Sequence, residues 1–302
     1  MRRSLQLALA LSPGVTELAV EALPATRRAW AALLMDLGVR PSKGLGQHFL
    51  YERGIVQRMI KCAGIRSGDE VLEIGPGLGI LTEELLRHGA RVTAIELDPR
   101  LYQHLRFTLG ASNALRLIQA DALAVNSGEL YPRGQPYKVA ANLPYSVATA
   151  VVRHLLEQNH PPESLVLMLQ KEVAERLAAE PPEMSILSVA TRLYAEASIA
   201  FAVSPTVFIP PPNVDSAVVL LKTRAQPLIP ATDRAKFFRI VNAGFRQKRK
   251  MVSNSLASEL HLPKASVTFW VDASGIDAMA RAQTISIEGW LRLLETAPED
   301  LA

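Results

Sequence analysis

One cysteine, Cys62, stands in 302 residues. A lone thiol excludes an internal disulfide and any zinc cage built from thiolates alone. The six histidines are scattered, and none sits at H-E-x-x-H or comparable ligand spacing, so no metal site is expected. No apolar run is long enough to span a bilayer, which argues against a membrane role. Internal repeats and low-complexity tracts are missing as well. The reducing cytoplasm is the simplest compartment for such a chain. Apolar residues, by contrast, make up 49% of the sequence, far above a chain that stays disordered, and the length suffices for a large core in two domains.

The net charge of +4 is unevenly spread. Residues 1–221 carry 21 basic and 21 acidic residues, residues 222–264 carry ten and two, and the last 38 carry two and six. The positive excess therefore lies in one stretch, a field suited to a polyanion rather than to a small neutral substrate. At the other end, Arg2-Arg3 before the apolar residues 5–11 weakly resembles the start of a secretory signal. That stretch is short, interrupted by Gln6, and lacks a clean cleavage site. Residues 27–37 read as a helix stopped by Gly38. Residues 1–39 are expected to be an N-terminal extension of accessory character, in part disordered.

From residue 51 onward helices and strands alternate. Apolar periodicity predicts helices at 51–63, 80–88, 147–158 and 171–179, and a further one from Pro99. Short apolar runs predict strands at 70–74, 91–96, 115–119, 137–141 and 164–169, then 197–203 and 216–221. This βαβ spacing implies an α/β fold with a mostly parallel sheet covered on both faces. After Leu221 the candidates are helical, at 237–244, 250–260 and 287–294. A boundary is expected near 222–230, giving a catalytic domain at 40–222 and a helical domain at 223–302.

Two motifs carry chemistry. Glu73-Ile74-Gly75-Pro76-Gly77-Leu78-Gly79 follows a strand, and its glycines let backbone N–H groups approach a ligand closely. Glu96 ends the next strand, 21 residues after Gly75, where a carboxylate can accept from both hydroxyls of a ribose. Asp121 ends the third strand and can accept from an adenine amino group; a helix N-cap is its other reading. The second motif, Asn142-Leu143-Pro144-Tyr145, ends the fourth strand. An exocyclic adenine amine is a poor nucleophile because its lone pair is delocalised into the ring. The Asn142 side-chain oxygen and the Leu143 carbonyl can grip its hydrogens and localise that pair. Pro144 stiffens the loop, and Tyr145 can stack on the base. No strong base is needed for in-line attack on a sulfonium methyl, so positioning and electrostatics carry the work. Phe208, in a proline-rich loop, is the candidate for the opposite stacking face, with an ordinary core aromatic as the alternative. Arg246, Lys248, Arg249 and Lys250 are candidates for phosphate contact, RNA shape then supplying specificity.

In their order these motifs resemble the ribosomal RNA adenine dimethyltransferase family. Gly44-Leu45-Gly46-Gln47-His48-Phe49-Leu50 comes first and Glu73–Gly79, Glu96-Leu97-Asp98, Asp121-Ala122 and Asn142–Tyr145 follow. Gln170 to Leu177, Phe208 to Ser216 and the basic residues 245–250 complete the set. The resemblance runs from about residue 41 to the last helices. It implies a Rossmann-like class I methyltransferase sheet with a small C-terminal helical RNA-recognition domain, and S-adenosyl-L-methionine as methyl donor. It further implies that His48 and Leu50 border the cofactor, that Gly75 and Gly77 approach its amino-acid part, Glu96 its ribose and Asp121 its adenine. Asn142 would touch both cofactor and target amine, with Tyr145 and Phe208 holding the base. The implied substrate is two adjacent adenosines in the 3′-terminal hairpin of small-subunit (16S) rRNA, each dimethylated within an assembling 30S particle. A monomer is expected.

The chain departs from the family pattern at several points. His48 replaces a common asparagine, Ser146-Val147-Ala148 replaces Asn-Ile-Ser, and Glu183-Met184-Ser185 occupies a shortened loop. The 39-residue leader has no counterpart in the usual short relatives. Alternatives are a large-subunit (23S) adenine methyltransferase of the antibiotic-resistance group, against which Leu143 counts, and a non-catalytic assembly or nucleic-acid-binding protein of the same fold. A dehydrogenase explains the glycine turn and not the Asn142 motif.

Overall fold

Two-residue alternation decides which side of each strand meets which layer of helices. The computed structural model describes residues 23–41, 47–132, 134–298 and 301. The Arg2-Arg3 stretch and Gly44-Leu45-Gly46 lie outside the described residues.

In chain order the elements are α1 (Arg27–Asp36), β1 (Phe49–Leu50), α2 (Arg53–Cys62), β2 (Glu70–Ile74), α3 (Ile80–Arg87), β3 (Arg91–Glu96), α4 (Pro99–Thr108) and β4 (Leu115–Gln119). Then come α5 (Ser127–Leu130), β5 (Lys138–Asn142), α6 (Ala148–Glu157), β6 (Ser164–Gln170), α7 (Lys171–Ala178), α8 (Ile186–Tyr194), β7 (Ala195–Val203), β8 (Phe208–Ile209) and β9 (Ser216–Thr223). Four helices follow: α9 (Arg234–Arg246), α10 (Val252–Leu260), α11 (Lys264–Ala273) and α12 (Ile287–Glu295).

The main sheet has seven strands in the order β4-β3-β2-β5-β6-β9-β7. The first five run parallel, while β9 is antiparallel to both β6 and β7. The architecture is a Rossmann-like mixed sheet with flanking helices and a C-terminal helical bundle. On one face Val71, Val92, Ala94, Ala140, Val166 and Met168 meet α1 to α4. On the other, Leu72, Val139, Leu165, Leu167 and Val219 meet α6 to α8, and that core continues into Phe237, Trp270 and Trp290 of the C-terminal helices. β1 and β8 form a separate two-stranded antiparallel ribbon, with Leu50 opposite Phe208.

Three helices lie outside the sequence-based expectation, the shortest being the four-residue α5. α8 is capped by Ser185, which shares a capping box with Ser188. α11 follows Pro263. Over the part described, residues 23–39 are packed, with Leu23, Trp30, Leu34 and Val39 all buried. Trp30 and Leu34 lie one helical turn apart, so α1 presents an apolar stripe that this core covers.

Candidate active site

The same alternation builds the site. Val71 and Glu73, Ala94 and Glu96, and Ala140 and Asn142 are pairs two apart on β2, β3 and β5. Each pair shares a sheet face. Val71, Ala94 and Ala140 belong to the core under α1 to α4, so Glu73, Glu96 and Asn142 stand on that face at the carboxyl ends of three neighbouring strands. A cleft opens there, lined by His48, Leu50, Met59, Glu73, Gly75, Gly77, Ile80, Glu96, Leu101 and Asn142 through Tyr145 among others. Ligands of open α/β sheets bind in that position.

The glycine turn connects two of these walls. Gly77 has φ +61°, and a Cβ added there would press the Phe49 ring at 3.3 Å. Its N–H donates to Glu96 Oε2 at 3.1 Å, and Asp98 N–H donates to Glu96 Oε1 at 2.8 Å. Burial pushes the Glu96 carboxyl up, and backbone N–H groups of Asp98, Gly77 and Leu97 oppose the shift. A carboxylate can accept more bonds than these, so it keeps capacity for a ligand hydroxyl.

Glu73 also lines the cleft, a residue to which the motifs assign no role. It is 1% exposed, and its Oε2 has no hydrogen-bond partner among the described residues. Burial raises its pKa to about 8, opposed by the neighbouring Thr82 and reinforced by the nearby Glu96. The signal was its parity with Glu96 and Asn142.

Asn142 ends β5. Its Nδ2 donates to the His48 carbonyl at 3.3 Å, which leaves the amide oxygen as the acceptor. Leu143 is buried and its N–H donates to Met168 O at 3.3 Å, while Pro144 O accepts from Val147 N at 3.2 Å as α6 begins. The Tyr145 hydroxyl pairs with Ser216 Oγ at 2.7 Å, and burial raises its pKa. The Tyr145 ring stands 5.4 Å from the His48 ring at 37°. His48 Nδ1–H in turn donates to Pro210 O at 2.8 Å, so the loop after β8 orients it. Ser216 and Pro210 are distant in sequence from the residues they hold; both fall in the Phe208–Ser216 motif, which does not itself name these partners.

One expected site residue, Phe208, takes a different place, and Asp121 has a structural partner as well. Phe208 is 1% exposed and packs in the core beneath the β1–β8 ribbon, so it presents no open face beside Tyr145; burial of an apolar ring prevails over display. Its position opposite Leu50 makes it a support for the cleft wall. Asp121 is exposed, beyond the end of β4, and its Oδ1 accepts from Leu123 N at 2.9 Å. It caps the short 3-10 turn Ala122–Ala124, a role compatible with its reading as an adenine contact, and the strand end it follows lies beside Glu96, whose carbonyl accepts from Ala120 N at 3.1 Å. Arg246 ends α9, and Lys248, Arg249 and Lys250 follow it before α10; all four are exposed and apart from the cleft. Arg246 Nε lies 4.0 Å from Glu259 Oε2. No group of three potential metal ligands occurs among the described residues.

S-adenosylmethionine fits this donor set. It carries a sulfonium and an ammonium, and the cleft offers two buried carboxyls, one with an unpartnered oxygen. It carries a ribose diol, and Glu96 ends β3 beside the glycine turn. Leu50, Ile80 and Leu101 supply apolar walls.

The family model for ribosomal RNA adenine dimethylases matches residues 40–298. The "Ribosomal RNA small subunit methyltransferase A" of Dehalococcoides mccartyi is 39% identical over 255 residues, covering 84% of this chain and 88% of that protein. Among solved structures, the 23S rRNA methyltransferase ErmE is 30% identical with a TM-score of 0.66, over 82% of this chain and 98% of that one. A dimethyladenosine transferase from Plasmodium falciparum is 25% identical with a TM-score of 0.68, over 82% and 96% of the two chains. The chain belongs to the ribosomal RNA adenine dimethylase family and is an S-adenosylmethionine-dependent rRNA adenine methyltransferase.

Proposed function

We propose that this enzyme dimethylates N6 of two adjacent adenosines in the 3′-terminal hairpin of small-subunit (16S) rRNA, within an assembling 30S particle. The observation that carries the reaction is Asn142, held at its nitrogen by the His48 carbonyl and standing on the same sheet face as Glu73 and Glu96. The small-subunit assignment is supported by the likeness to the small-subunit methyltransferase of D. mccartyi and by Leu143 in the Asn142–Tyr145 motif. Resemblance to ErmE favours the second reading, a 23S adenine as target.

When bound, S-adenosylmethionine supplies an electrophilic methyl on a sulfonium. Glu96 holds the ribose, and the Gly75–Gly79 turn brings backbone close to the amino-acid end. The Asn142 oxygen and the Leu143 carbonyl accept the two N–H bonds of the incoming adenine and direct its lone pair. Tyr145, fixed through its hydroxyl by Ser216, supports the flat base. As the amine attacks, positive charge grows on N6, and these acceptors stabilise it. A proton leaves N6 to water after the bond forms. The target base must leave its stack to reach the cleft. Residues 223–302 form the RNA-recognition domain, and Arg246, Lys248, Arg249 and Lys250 contact phosphate. The protein works as a cytoplasmic monomer.

The test is incubation with labelled S-adenosylmethionine and unmethylated 30S and 50S particles, followed by mapping of the modified bases. Dimethyladenosine at two adjacent positions near the 16S 3′ end is expected. Label confined to 23S rRNA would establish the second reading.

A further inference from the structure

Residues 23–39 touch three parts of the fold around the cleft. At one end, Leu23 Cδ1 lies 3.8 Å from where a Cβ would stand on Gly79, in a space shared with Leu105 of α4 and Leu109 beyond it. In the middle, α1 lies against β8, and Trp30 shares a core with Phe49, Leu50 and Phe208 of the ribbon. At the other end, the Gly38 carbonyl accepts from Arg100 Nη1 at 2.7 Å. Arg100 Nη2 donates to Asp98 Oδ2 at 2.7 Å and its Nε to Asp98 Oδ1 at 3.1 Å. Asp98 N–H donates to the Glu96 carboxylate at 2.8 Å. A continuous set of contacts therefore runs from the leader to the carboxylate at the end of β3.

We propose that residues 23–39 brace the cofactor cleft. They hold the β1–β8 ribbon, which carries Leu50 and adjoins His48, at a fixed spacing from α4 and from Glu96. The cleft has one wall on the sheet and one on a ribbon of two residues per strand. A two-stranded ribbon that short is not stable alone. Its position depends on what packs behind it, and α1 is packed there. A cofactor that bridges the two walls binds best when their spacing is already set, because less ordering is required on binding. The effect is on cofactor affinity, not on the chemical step. Coupling of this kind is reciprocal, so a ligand in the cleft must in turn tighten the brace.

This proposal rests on the reading of the cleft as the S-adenosylmethionine site, and the test separates the two. Amide hydrogen exchange is followed in the full chain with and without S-adenosylhomocysteine. Slower exchange is expected in Gly75–Gly79 and also in residues 27–39. Protection of Gly75–Gly79 with none in residues 27–39 overturns the brace and leaves the cofactor site standing. No protection in either region overturns both. In parallel, Trp30→Ala and Arg100→Gln are compared with the parent by calorimetry. Trp30→Ala should weaken S-adenosylhomocysteine binding about tenfold and Trp30→Phe should largely restore it, as expected when preorganisation is removed and then returned. Arg100, on an exposed helix end, can be changed without opening the core; Arg100→Gln should raise KM for S-adenosylmethionine while leaving kcat and the KM for rRNA particles near the parent's. Unchanged S-adenosylhomocysteine affinity in both Trp30→Ala and Arg100→Gln overturns the proposal.

Discussion

Replacing Asn142 by alanine removes one acceptor from the amine at the moment it becomes cationic. A hydrogen bond to a charged group contributes about 1.5–3 kcal/mol. If that difference appears only in the transition state, the rate of methyl transfer falls about 10- to 150-fold. The cost to folding is much smaller. The side chain is half-buried, and the bond it gives up, to the His48 carbonyl, is long at 3.3 Å. No large cavity opens, because Leu143 and not Asn142 fills the core at that point. The variant should therefore melt close to the parent and still bind S-adenosylhomocysteine, while single-turnover transfer to unmethylated 30S particles slows by more than tenfold. Equal single-turnover rates for variant and parent would remove Asn142 from the mechanism.

Glu73 makes stability pH-dependent. Its folded pKa of about 8 lies above the ordinary value of 4.5, so between those pH values the folded state binds more protons than the unfolded state, and stability falls as pH rises through that window. Glu73→Gln should flatten this part of the melting temperature against pH curve and leave the variant more stable than the parent above pH 8; the same slope in both would show that Glu73 is ionised throughout. Glu96→Gln should weaken S-adenosylhomocysteine binding about tenfold or more by calorimetry, through loss of a charged acceptor. The new amide NH₂ must also face the N–H of Gly77 or Asp98, so a lower melting temperature is expected with it. Neutralising Arg246, Lys248, Arg249 and Lys250 together should flatten the dependence of rRNA binding on salt, by about 0.7–0.9 in the log–log slope for each phosphate that no longer meets a cation. An unchanged slope would place the RNA face elsewhere.

Much of the site was legible because strand alternation and short βα spacing are local signals. Glu96 and Asn142 were found as strand-end residues, and β5 runs one residue beyond its expected end to include Asn142. Glu73 was visible by the same parity. The ribbon was not legible. Phe49 and Leu50 pair with residues about 160 positions away, and two residues per strand make no pattern. Phe208 followed its apolar ring into the core. Asp121 caps the helical turn that follows it, as its place in the sequence allowed. α1 was read nearly to its observed ends, yet its docking was invisible, because a helix's apolar stripe does not name the surface that covers it.

The most direct test of the account is a crystal structure with S-adenosylhomocysteine bound. The account predicts the ribose hydroxyls on Glu96, the amino-acid end over the Gly75–Gly79 turn, and the sulfur facing the Asn142–Tyr145 loop across a gap that one adenine amine can enter. A ligand seated away from that loop, or on the opposite face of the sheet, would contradict it.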